Sequence, residues 1–451
     1  MIDDAGIGIS RRIANYAIGT RFENPLSAEF ENSMNCLSMS LLDWLAVGRA
    51  GVEEPVSTLV RTMNMADGGL PQASIFGSTT RLPLRLAAQI NGTTTHALDY
   101  DDTHFLHVGH TSVVVMSSTL AIAEAQGASV QQMLEAALIG SEIACHVGHW
   151  LGRSHYRAGF HQTATAGVFG ATASACRLMK LDIDTTLHAL GVATTMASGL
   201  TSQFGTMGKP FHAGMAAGRG IEAALLAANG FVSRTDALEC AQGFALSHHA
   251  DPANLGGDMF ELGDRSVFAD VQHKYHACCH GLHASLEALA AVQSKHHIEA
   301  EDIHRIEIAT NPRWLSVCNI QDPVSALESK FSYRHVTALL LSGYDTAALG
   351  TYTDALCNDE KLQALRNRVA VHADNSLLDT EVMIQIENRD GSTLKHSLDL
   401  ATPLALEARQ ERILKKCRSL IGEDKTATFW SLIRQQPSMS AAEFARITVA
   451  Y

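Results

Sequence analysis

The stretch from His96 to His110 is the part of this sequence richest in side chains that can move protons or bind a metal ion. Its fifteen residues contain three aspartates and four histidines. Aspartate and histidine at short spacing can ligate zinc or iron, but they also occur in polar loops where acids cap helices and pair with histidines. A third interpretation is an acid–base site, since imidazole titrates near neutral pH and a neighbouring carboxylate raises its pKa and fixes its tautomer. The residue types leave all three open and favour the acid–base site.

Two further positions place a basic side chain directly before a segment rich in glycine and alanine. We expect His161 at a helix N-terminus, where backbone N–H groups and the helix dipole favour anions; a structural cap or core histidine is the alternative. Lys209 lies between Gly208 and Pro210, where we expect no regular helix. Its charge either points at an anion or is solvated in a loop, and the small-residue helices around it favour the first.

Lys274 lies in a histidine-rich segment, residues 272–283, at which the helical pattern gives way to a mixed one. Domain junctions are favoured places for ligand clefts, so the argument made for Lys209 applies here too. Lysines, histidines and carboxylates together are suited to binding carboxylate groups and transferring protons.

Composition and missing motifs exclude several classes of function. The 451 residues carry a net charge of −13, which argues against a nucleic-acid-binding surface but allows a local basic pocket. There is no GxGxxG motif after a strand, no Walker A loop, no GxSxG elbow and no HExxH motif. The nine cysteines lack any CxxC spacing, which predicts neither disulfides nor a zinc site and indicates a reducing cytoplasm. The longest apolar stretch, near residues 113–125, is too short and too polar to cross a membrane.

Hydrophobic periodicity predicts helix after helix in the first part of the chain. Residues 27–48 repeat apolar positions at helical spacing, and Ser129–Gln132 has the form of a capping box that starts another helix. Residues 171–178 and 213–228 are dense in alanine and glycine, which predicts closely packed inner helices.

The pattern changes near residue 300. Short β-branched runs at 305–309 and 368–372 predict strands, and a hairpin is expected around the turn at Asp390 and Gly391. We therefore expect a mainly α fold, whose parts are a large all-helical domain at 1–268, a smaller α+β domain at 269–402 and C-terminal helices at 403–451 that return to the first domain.

The sequence resembles the MmgE/PrpD family, which includes 2-methylcitrate dehydratase, cis-aconitate decarboxylase and iminodisuccinate epimerase. The likeness covers nearly the whole chain and depends on the order and spacing of several short blocks. Those blocks are Asn91-Gly92, His96-Ala-Leu-Asp-Tyr-Asp-Asp-Thr103, Gly109-His110-Thr111-Ser112, Gly159-Phe160-His161, Gly208-Lys209-Pro210-Phe211-His212-Ala213-Gly214, Lys274-Tyr275-His276-Ala277-Cys278 and Lys330-Phe331-Ser332-Tyr333.

The resemblance implies a helical domain with a smaller α+β lid domain, a homodimer, and a pocket between the domains that works without a metal ion or other cofactor. The family's active-site positions correspond here to Asp99, Thr103, His110, His161, Lys209 and Lys274. Two departures affect the expected substrate. His335 stands where decarboxylase-like members have a tyrosine, with Tyr333 two positions earlier. His110 aligns with the family's histidine only after a one-residue insertion, because the loop from Thr103 to His110 is slightly longer here.

We assign Lys209 and Lys274 to carboxylate binding and charge stabilisation, and either lysine can act as a base if it is desolvated. His110 and His161 are the better general acid–base candidates, and Asp99 is expected to orient one of them. The predicted substrate-binding residues are Thr103, His104, His107, Tyr333 and His335.

Each of the family's reactions can start at a carbon next to a carboxylate, and the sequence favours an epimerase acting on an aminodicarboxylate such as iminodisuccinate. An epimerase needs proton carriers on two opposite faces of its substrate, and the predicted site, with His335, is rich in imidazole. Overall similarity to iminodisuccinate epimerase points the same way. The alternative is a hydro-lyase or decarboxylase acting on a citrate- or aconitate-type acid. A non-catalytic helical binding protein would leave the lysines and histidines beside helix starts unexplained.

Overall fold

The computed structural model describes residues 8–20, 27–254, 262, 266–296 and 298–450. The chain forms two compact units: unit 1 is Met1–His273 with Ile421–Tyr451, and unit 2 is Lys274–Leu420. The boundaries expected from the sequence fall after residues 268 and 402. A mainly α fold with a smaller α+β part is confirmed.

Unit 1 begins with a long series of helices and one short hairpin. Its elements are α1 (Ile9–Gly19), α2 (Ala28–Ala50), α3 (Pro55–Asp67), β1 (Ala73–Ile75), β2 (Ser78–Leu82), α4 (Leu84–His96), α5 (Ser112–Gln126), α6 (Val130–Arg157), α7 (Gln162–Thr165), α8 (Gly167–Leu178), α9 (Ile183–Met196), α10 (Gly208–Ala228) and α11 (Phe244–Ser247). Helix α10 packs against α4, α5, α8 and α9, and α8 also packs against α6. These helices form the centre of the unit.

Local cap chemistry sets the start of two long helices, and the sequence predicts the cap at Ser129. Ser27 accepts a hydrogen bond from the N–H of Phe30 and starts α2. At α6 the capping box is complete, because Ser129 and Gln132 bond reciprocally to each other's backbone N–H groups. Such caps satisfy N–H groups that have no partner inside the helix.

The hairpin of β1 and β2 corrects the expectation that the first domain is entirely helical. The two strands pair antiparallel across Phe76 and Gly77, and Gly77 has a φ of +78°. Strands this short carry too few residues for a two-residue periodicity to stand out, so the sequence pattern missed them.

Unit 2 contains one four-stranded sheet and seven helices among its described residues. They are α12 (His283–Lys295), β3 (Ile303–Thr310), α13 (Pro312–Val317), α14 (Ala326–Ser329), α15 (Tyr333–Leu341), α16 (Asp354–Cys357), α17 (Glu360–Arg366), β4 (Val369–Ala373), β5 (Glu381–Asn388), β6 (Thr393–Asp399) and α18 (Leu406–Ile421). The strand order is β4-β3-β5-β6, with β3 and β4 parallel and the other pairs antiparallel. The predicted hairpin around Gly391 is confirmed.

Alternation along the central strands gives the sheet one buried face. Ile306 and Ile308 of β3 and Ile384 and Ile386 of β5 are buried, whereas Glu307 between the β3 pair is partly exposed. Helices α12 and α15 pack on the sheet. After unit 2 the chain re-enters unit 1 as α19 (Glu423–Gln435) and α20 (Ala441–Thr448).

Short 3-10 helices connect several of these elements. They are Thr201–Gln203, Pro252–Asn254, Phe268–Asp270, His280–Leu282 and Leu349–Thr351. Within the described ranges, no helix combines the length and the hydropathy that crossing a bilayer requires.

Candidate active site

A loop between α4 and α5 of unit 1 carries most of the predicted site residues. His96 is the last residue of α4, and the loop runs from residue 97 to Thr111. Two non-glycine residues of this loop, Asp99 and Val108, have positive φ values of 50° and 55°. Left-handed backbone is tolerated by aspartate and costly for a β-branched valine. The strain at Val108 immediately precedes the turn into His110, so the surrounding contacts must hold the loop in place.

Backbone hydrogen bonds supply those contacts. The N–H of Thr103 donates to the carbonyl of Gln272 at 2.8 Å, and the N–H of Gln272 donates back at 2.7 Å. Within the loop, the N–H of His104 donates to the carbonyl of Gly109 at 2.8 Å. The loop is therefore closed on itself and tied to the segment before unit 2, and both pairings restrict where Asp99 and His110 can lie.

Asp101 is the carboxylate closest to two imidazoles. Nδ1 of His96 donates to it at 2.9 Å, and Nδ1 of His110 lies 3.0 Å from its other oxygen. Burial alone would raise the pKa of Asp101, but His110 and His96 outweigh burial and hold the pKa well below its ordinary value. Asp101 is therefore a buried carboxylate whose negative charge is shared by two rings.

Lys209 enters the same cluster from the first turn of α10. Its ammonium group donates to Oδ1 of Asp99 at 2.7 Å, and it lies 5.2 Å from the ring centre of Phe204. Nε2 of His110 lies 3.4 Å from the same Asp99 oxygen. Asp99 thus links Lys209 to Nε2 of His110. Asp101 is the carboxylate nearest to Nδ1 of both His96 and His110.

The helical start of α10 differs from the irregular backbone expected around Lys209. Gly208, Lys209 and Pro210 are its first three residues. Proline is compatible with a first helical turn because the N–H that it lacks would have no partner there. The residue before it is consequently helical, and Lys209 projects from a fixed helix end.

His161 lies at the N-terminus of α7, as the sequence predicts, and its side chain makes no cap hydrogen bond. Its ring stacks on that of His96 with centres 6.0 Å apart, and its Nδ1 lies 3.4 Å from Nδ1 of His212. The N–H of His161 donates to the carbonyl of Gly199 at 3.0 Å. Helices α4, α7 and α10 therefore each contribute a histidine to this cluster.

Two buried histidines of the cluster, His110 and His161, are uncharged at neutral pH. Burial lowers the pKa of His110 to about 4, although Asp101 opposes the change. Burial also lowers the pKa of His161 well below its ordinary value, and the neighbouring His96 and Lys209 act in the same direction. Both rings are therefore neutral, so they can accept protons before they can donate them as imidazolium ions.

His104 and His107 support the loop by hydrogen bonds to distant backbone. Nε2 of His104 donates to the carbonyl of Val267 at 2.8 Å, and Nδ1 of His107 donates to the carbonyl of Ala144 at 3.0 Å. Both side chains are buried, and burial lowers the pKa of His107 to about 3. These contacts favour a positioning role over the substrate contact that the sequence predicts. Thr103, paired with Gln272, is held in the same way.

Three predicted site residues belong to unit 2. Lys274 is buried at its first position. Tyr333 is buried in α15, where its hydroxyl donates to the carbonyl of Gly281 at 2.6 Å. His335 is fully buried in the same helix. The surroundings of Tyr333 and His335 favour a packing role in unit 2, and the predicted role of Lys274 stays a prediction.

His96, Asp99, Asp101 and His110 offer ligand atoms that all lie within 4.8 Å of one another, a grouping able to hold a metal ion. Their charges already have partners among the described residues, because Asp99 receives Lys209 and Asp101 lies against two imidazoles. A cation bound there would also lie close to the ammonium group, which opposes binding. We interpret the cluster as an acid–base site, and the expectation that activity needs no metal stays a prediction.

Two family models match this chain. The MmgE/PrpD N-terminal domain matches residues 11–253 and the MmgE/PrpD C-terminal domain matches residues 276–427. The chain belongs to the MmgE/PrpD family. The resemblance inferred from the short sequence blocks is confirmed at the level of the family, whereas special closeness to iminodisuccinate epimerase is not shown.

Several relatives of this MmgE/PrpD protein are cis-aconitate decarboxylases. The Aspergillus terreus enzyme is 24% identical over 409 residues, which cover 85% of this chain and 84% of the relative. The Homo sapiens enzyme is 25% identical over 420 residues, covering 87% and 85%. A cis-aconitate decarboxylase-like protein from Aspergillus oryzae is 28% identical over 289 residues, covering 60% of each chain.

The MmgE/PrpD cluster includes residues that the sequence did not single out as site residues. Asp101, His96 and His212 were part of the recognised blocks but received no role, and Phe204 lies outside them. A distinguishing signal for Asp101 was absent, because Asp99, Asp101 and Asp102 are the same residue type within four positions. Only the distances separate the aspartate that meets lysine from the one that meets imidazoles.

Proposed function

We propose that this protein is a cofactor-independent lyase that decarboxylates a small polycarboxylate of the cis-aconitate class. The observation that carries the proposal is the buried cluster in which Lys209 and the neutral rings of His110 and His161 meet around two aspartates. Cations bind carboxylates and imidazoles move protons, which are the two tasks of this reaction. The decarboxylase names of the relatives support the same choice.

Decarboxylation breaks a carbon–carbon bond, releases CO₂ and leaves an electron pair on carbon that must then take up a proton. Lys209 would bind a substrate carboxylate, exchanging its present partner Asp99 for the substrate. A substrate with several negative charges would raise the pKa of a nearby imidazole. His110 or His161, which burial keeps neutral, would thereby gain the proton that the carbanion needs.

Epimerisation is the second candidate, and the two imidazoles His110 and His161 favour it. They come from different elements of unit 1, as a reaction with two bases requires, and burial makes both neutral. His335 does not support epimerisation, because its side chain is fully buried in α15. Lyase chemistry therefore ranks first and epimerisation of an aminodicarboxylate second.

A panel of substrates in D₂O separates the two reactions. We would incubate the protein with cis-aconitate, citrate, 2-methylcitrate and iminodisuccinate and follow CO₂ release and proton NMR spectra. The proposal expects CO₂ release from an unsaturated tricarboxylate with deuterium incorporated in the product. Deuterium exchange without loss of CO₂ or water would instead establish an epimerase. The decarboxylase activity should persist after dialysis against EDTA, and loss restored by a divalent metal would contradict the metal-free proposal.

A further inference from the structure

The side chains of the cluster become steadily more buried from Asp99 to His96. Asp99 is 28% exposed, Lys209 16%, His110 8%, Asp101 2% and His96 0%. Solvent and substrate therefore reach the cluster from the side of Asp99 and Lys209. His96 lies at the closed end and acts on the chemistry only through its neighbours.

Asp101 contacts the rings of His96 and His110 at the same atom of each, Nδ1. Nδ1 of His96 donates to the carboxylate, and Nδ1 of His110 is at ion-pair distance from it but outside hydrogen-bond alignment. A hydrogen bond here would need a rotation of the His110 ring, and the hydrogen bonds of catalytic groups often align only when substrate is bound. The ring centres are 4.5 Å apart in an edge-on arrangement, so two charged imidazoles would repel each other strongly.

We propose that Asp101 is a positioning residue that holds His96 and His110 by their Nδ1 atoms, so that Nε2 of His110 is the working nitrogen and one ring at most is charged. His96 then competes with His110 for the single carboxylate and limits how readily His110 takes up a proton. This inference rests on the proposed role of His110 in proton transfer. The effect of Asp101 on the protonation of His96 and His110 can itself be measured in the free protein.

Other charged and titratable groups also face His96 and His110, and the positive ones oppose a second proton on these two rings. Lys209 and the rings of His161 and His212 contribute positive charge or none. Asp99 faces Nε2 of His110 but is neutralised by Lys209. Asp101 is therefore the carboxylate available to stabilise a proton on either ring.

Asp102 offers a matched control for Asp101. It is the next residue and is equally buried, but its carboxylate accepts from the hydroxyl of Ser112 at 2.5 Å and from the N–H of Ser112 at 3.3 Å. Asp102→Asn thus changes a buried acid of the same loop without touching the imidazole contacts, although burial raises the pKa of Asp102 to about 7.

The test is an ¹⁵N NMR titration of histidine-labelled free protein, as the full chain. Asp101→Asn should lower the pKa of His110 by roughly one unit or more, because the opposite charge is removed, and should shift the proton from Nδ1 towards Nε2. His96→Leu should raise the pKa of His110, because the whole carboxylate then serves one ring. Asp102→Asn should change neither. His96→Gln, which keeps an N–H towards Asp101, serves if the leucine variant does not fold.

Shifts of the same sign in the Asp101 and His96 variants would overturn the proposal, as would equal effects of Asp101→Asn and Asp102→Asn. In the kinetics, Asp101→Asn should lower kcat about 100-fold or more with little change in KM, as loss of an orienting carboxylate does, and should move the acid limb of the pH profile. If the NMR shifts have the expected signs but no polycarboxylate is turned over, the proposed function is wrong and the positioning role of Asp101 is supported. If turnover is found without those shifts, the positioning role of Asp101 is wrong and the proposed function is unaffected.

Discussion

At the scale of residues, the candidate site combines the ammonium group of Lys209 with neutral imidazoles. Lys209 is the cation that contacts Asp99, and His110 is held neutral by burial despite its carboxylate neighbour. A bound anion adds negative charge next to groups that can take up a proton. A polycarboxylate bound as we propose would therefore make these residues acidic only after it has bound.

Replacing Lys209 tests the carboxylate contact directly. Lys209→Met should reduce kcat/KM by about 10- to 100-fold or more, because a buried charge-assisted contact contributes about 1.5–3 kcal/mol and more if the charge grows in the transition state. Lys209→Arg should restore only part of the rate, since its planar fork differs from a point charge. Steady-state kinetics and circular dichroism measure both effects. Lys425→Met, at an exposed position of α19, is the control, and near-normal kinetics for Lys209→Met would contradict the role.

Binding of an unreactive tricarboxylate such as tricarballylate should be accompanied by proton uptake. Burial lowers the pKa of His110 to about 4, and a bound anion would raise it, so protons should be taken up at pH values between these two pKa values. Affinity should consequently weaken as the pH rises from the pKa of the free protein to that of the complex, and should level off above it. Calorimetry in two buffers of different ionisation enthalpy measures the uptake. His110→Asn should reduce it, and identical heats in both buffers would rule out the coupling.

At the scale of elements, close packing of α4 and α10 fixes the helix end that carries Lys209. A Cβ atom on Gly214 would lie 2.1 Å from Oγ1 of Thr93 and 2.3 Å from the carbonyl of Gln89. Gly92 faces the same contact, 2.9 Å from Cα of Gly214 when given a Cβ. Both helices therefore require small residues here, and their separation sets the distance between Lys209 and the loop after α4.

Gly214→Ala should separate α4 from α10 and weaken the site. Overpacking of this kind costs about 1–3 kcal/mol of unfolding free energy, and we expect a lower thermal midpoint together with a lower kcat/KM. Gly19→Ala is the control, because a Cβ there meets no atom within 4 Å at the end of α1. Equal stability and activity in the two variants would show that the helix contact tolerates a methyl group and does not position Lys209.

At the scale of the whole molecule, buried histidines outside the cluster make stability depend on pH. Burial lowers the pKa of His155 in unit 1 and of His335 in unit 2 to about 4. A histidine whose pKa is lowered by folding stabilises the protein above its unfolded pKa of about 6.5, and this contribution is lost as the pH falls towards 4. The protein should therefore lose stability between pH 7 and pH 4 as each unit takes up protons on unfolding.

His335→Phe should reduce this acid sensitivity while leaving catalysis intact. The expected reduction is on the order of 2 kcal/mol between pH 7 and pH 4, measured as the change in thermal midpoint with pH. Near-normal kcat/KM is expected because the side chain packs inside α15 of unit 2. His249→Gln, at an exposed position, is the control. A large loss of activity with unchanged acid sensitivity would favour the substrate-binding role that the sequence predicts.

The amino-acid sequence by itself determined the family and most of the element types, and it predicted much of the candidate site's membership. Helical spacing of apolar residues, the capping box at Ser129 and the turn at Gly391 are local properties, so pattern reading predicts them. The positions of His161 and Lys209 at helix starts follow from the same local chemistry. Membership of the site could be predicted because these residues carry their chemical type with them.

The tertiary structure alone decided which partner each residue has. Asp99 and Asp101 are the same residue type two positions apart, and a loop with positive φ at Asp99 sends one to Lys209 and the other to two imidazoles. His104 and His107 bond to the carbonyls of Val267 and Ala144, contacts that join segments far apart in the chain. Whether a histidine is charged likewise depends on how many distant elements bury it, and no local pattern records that burial.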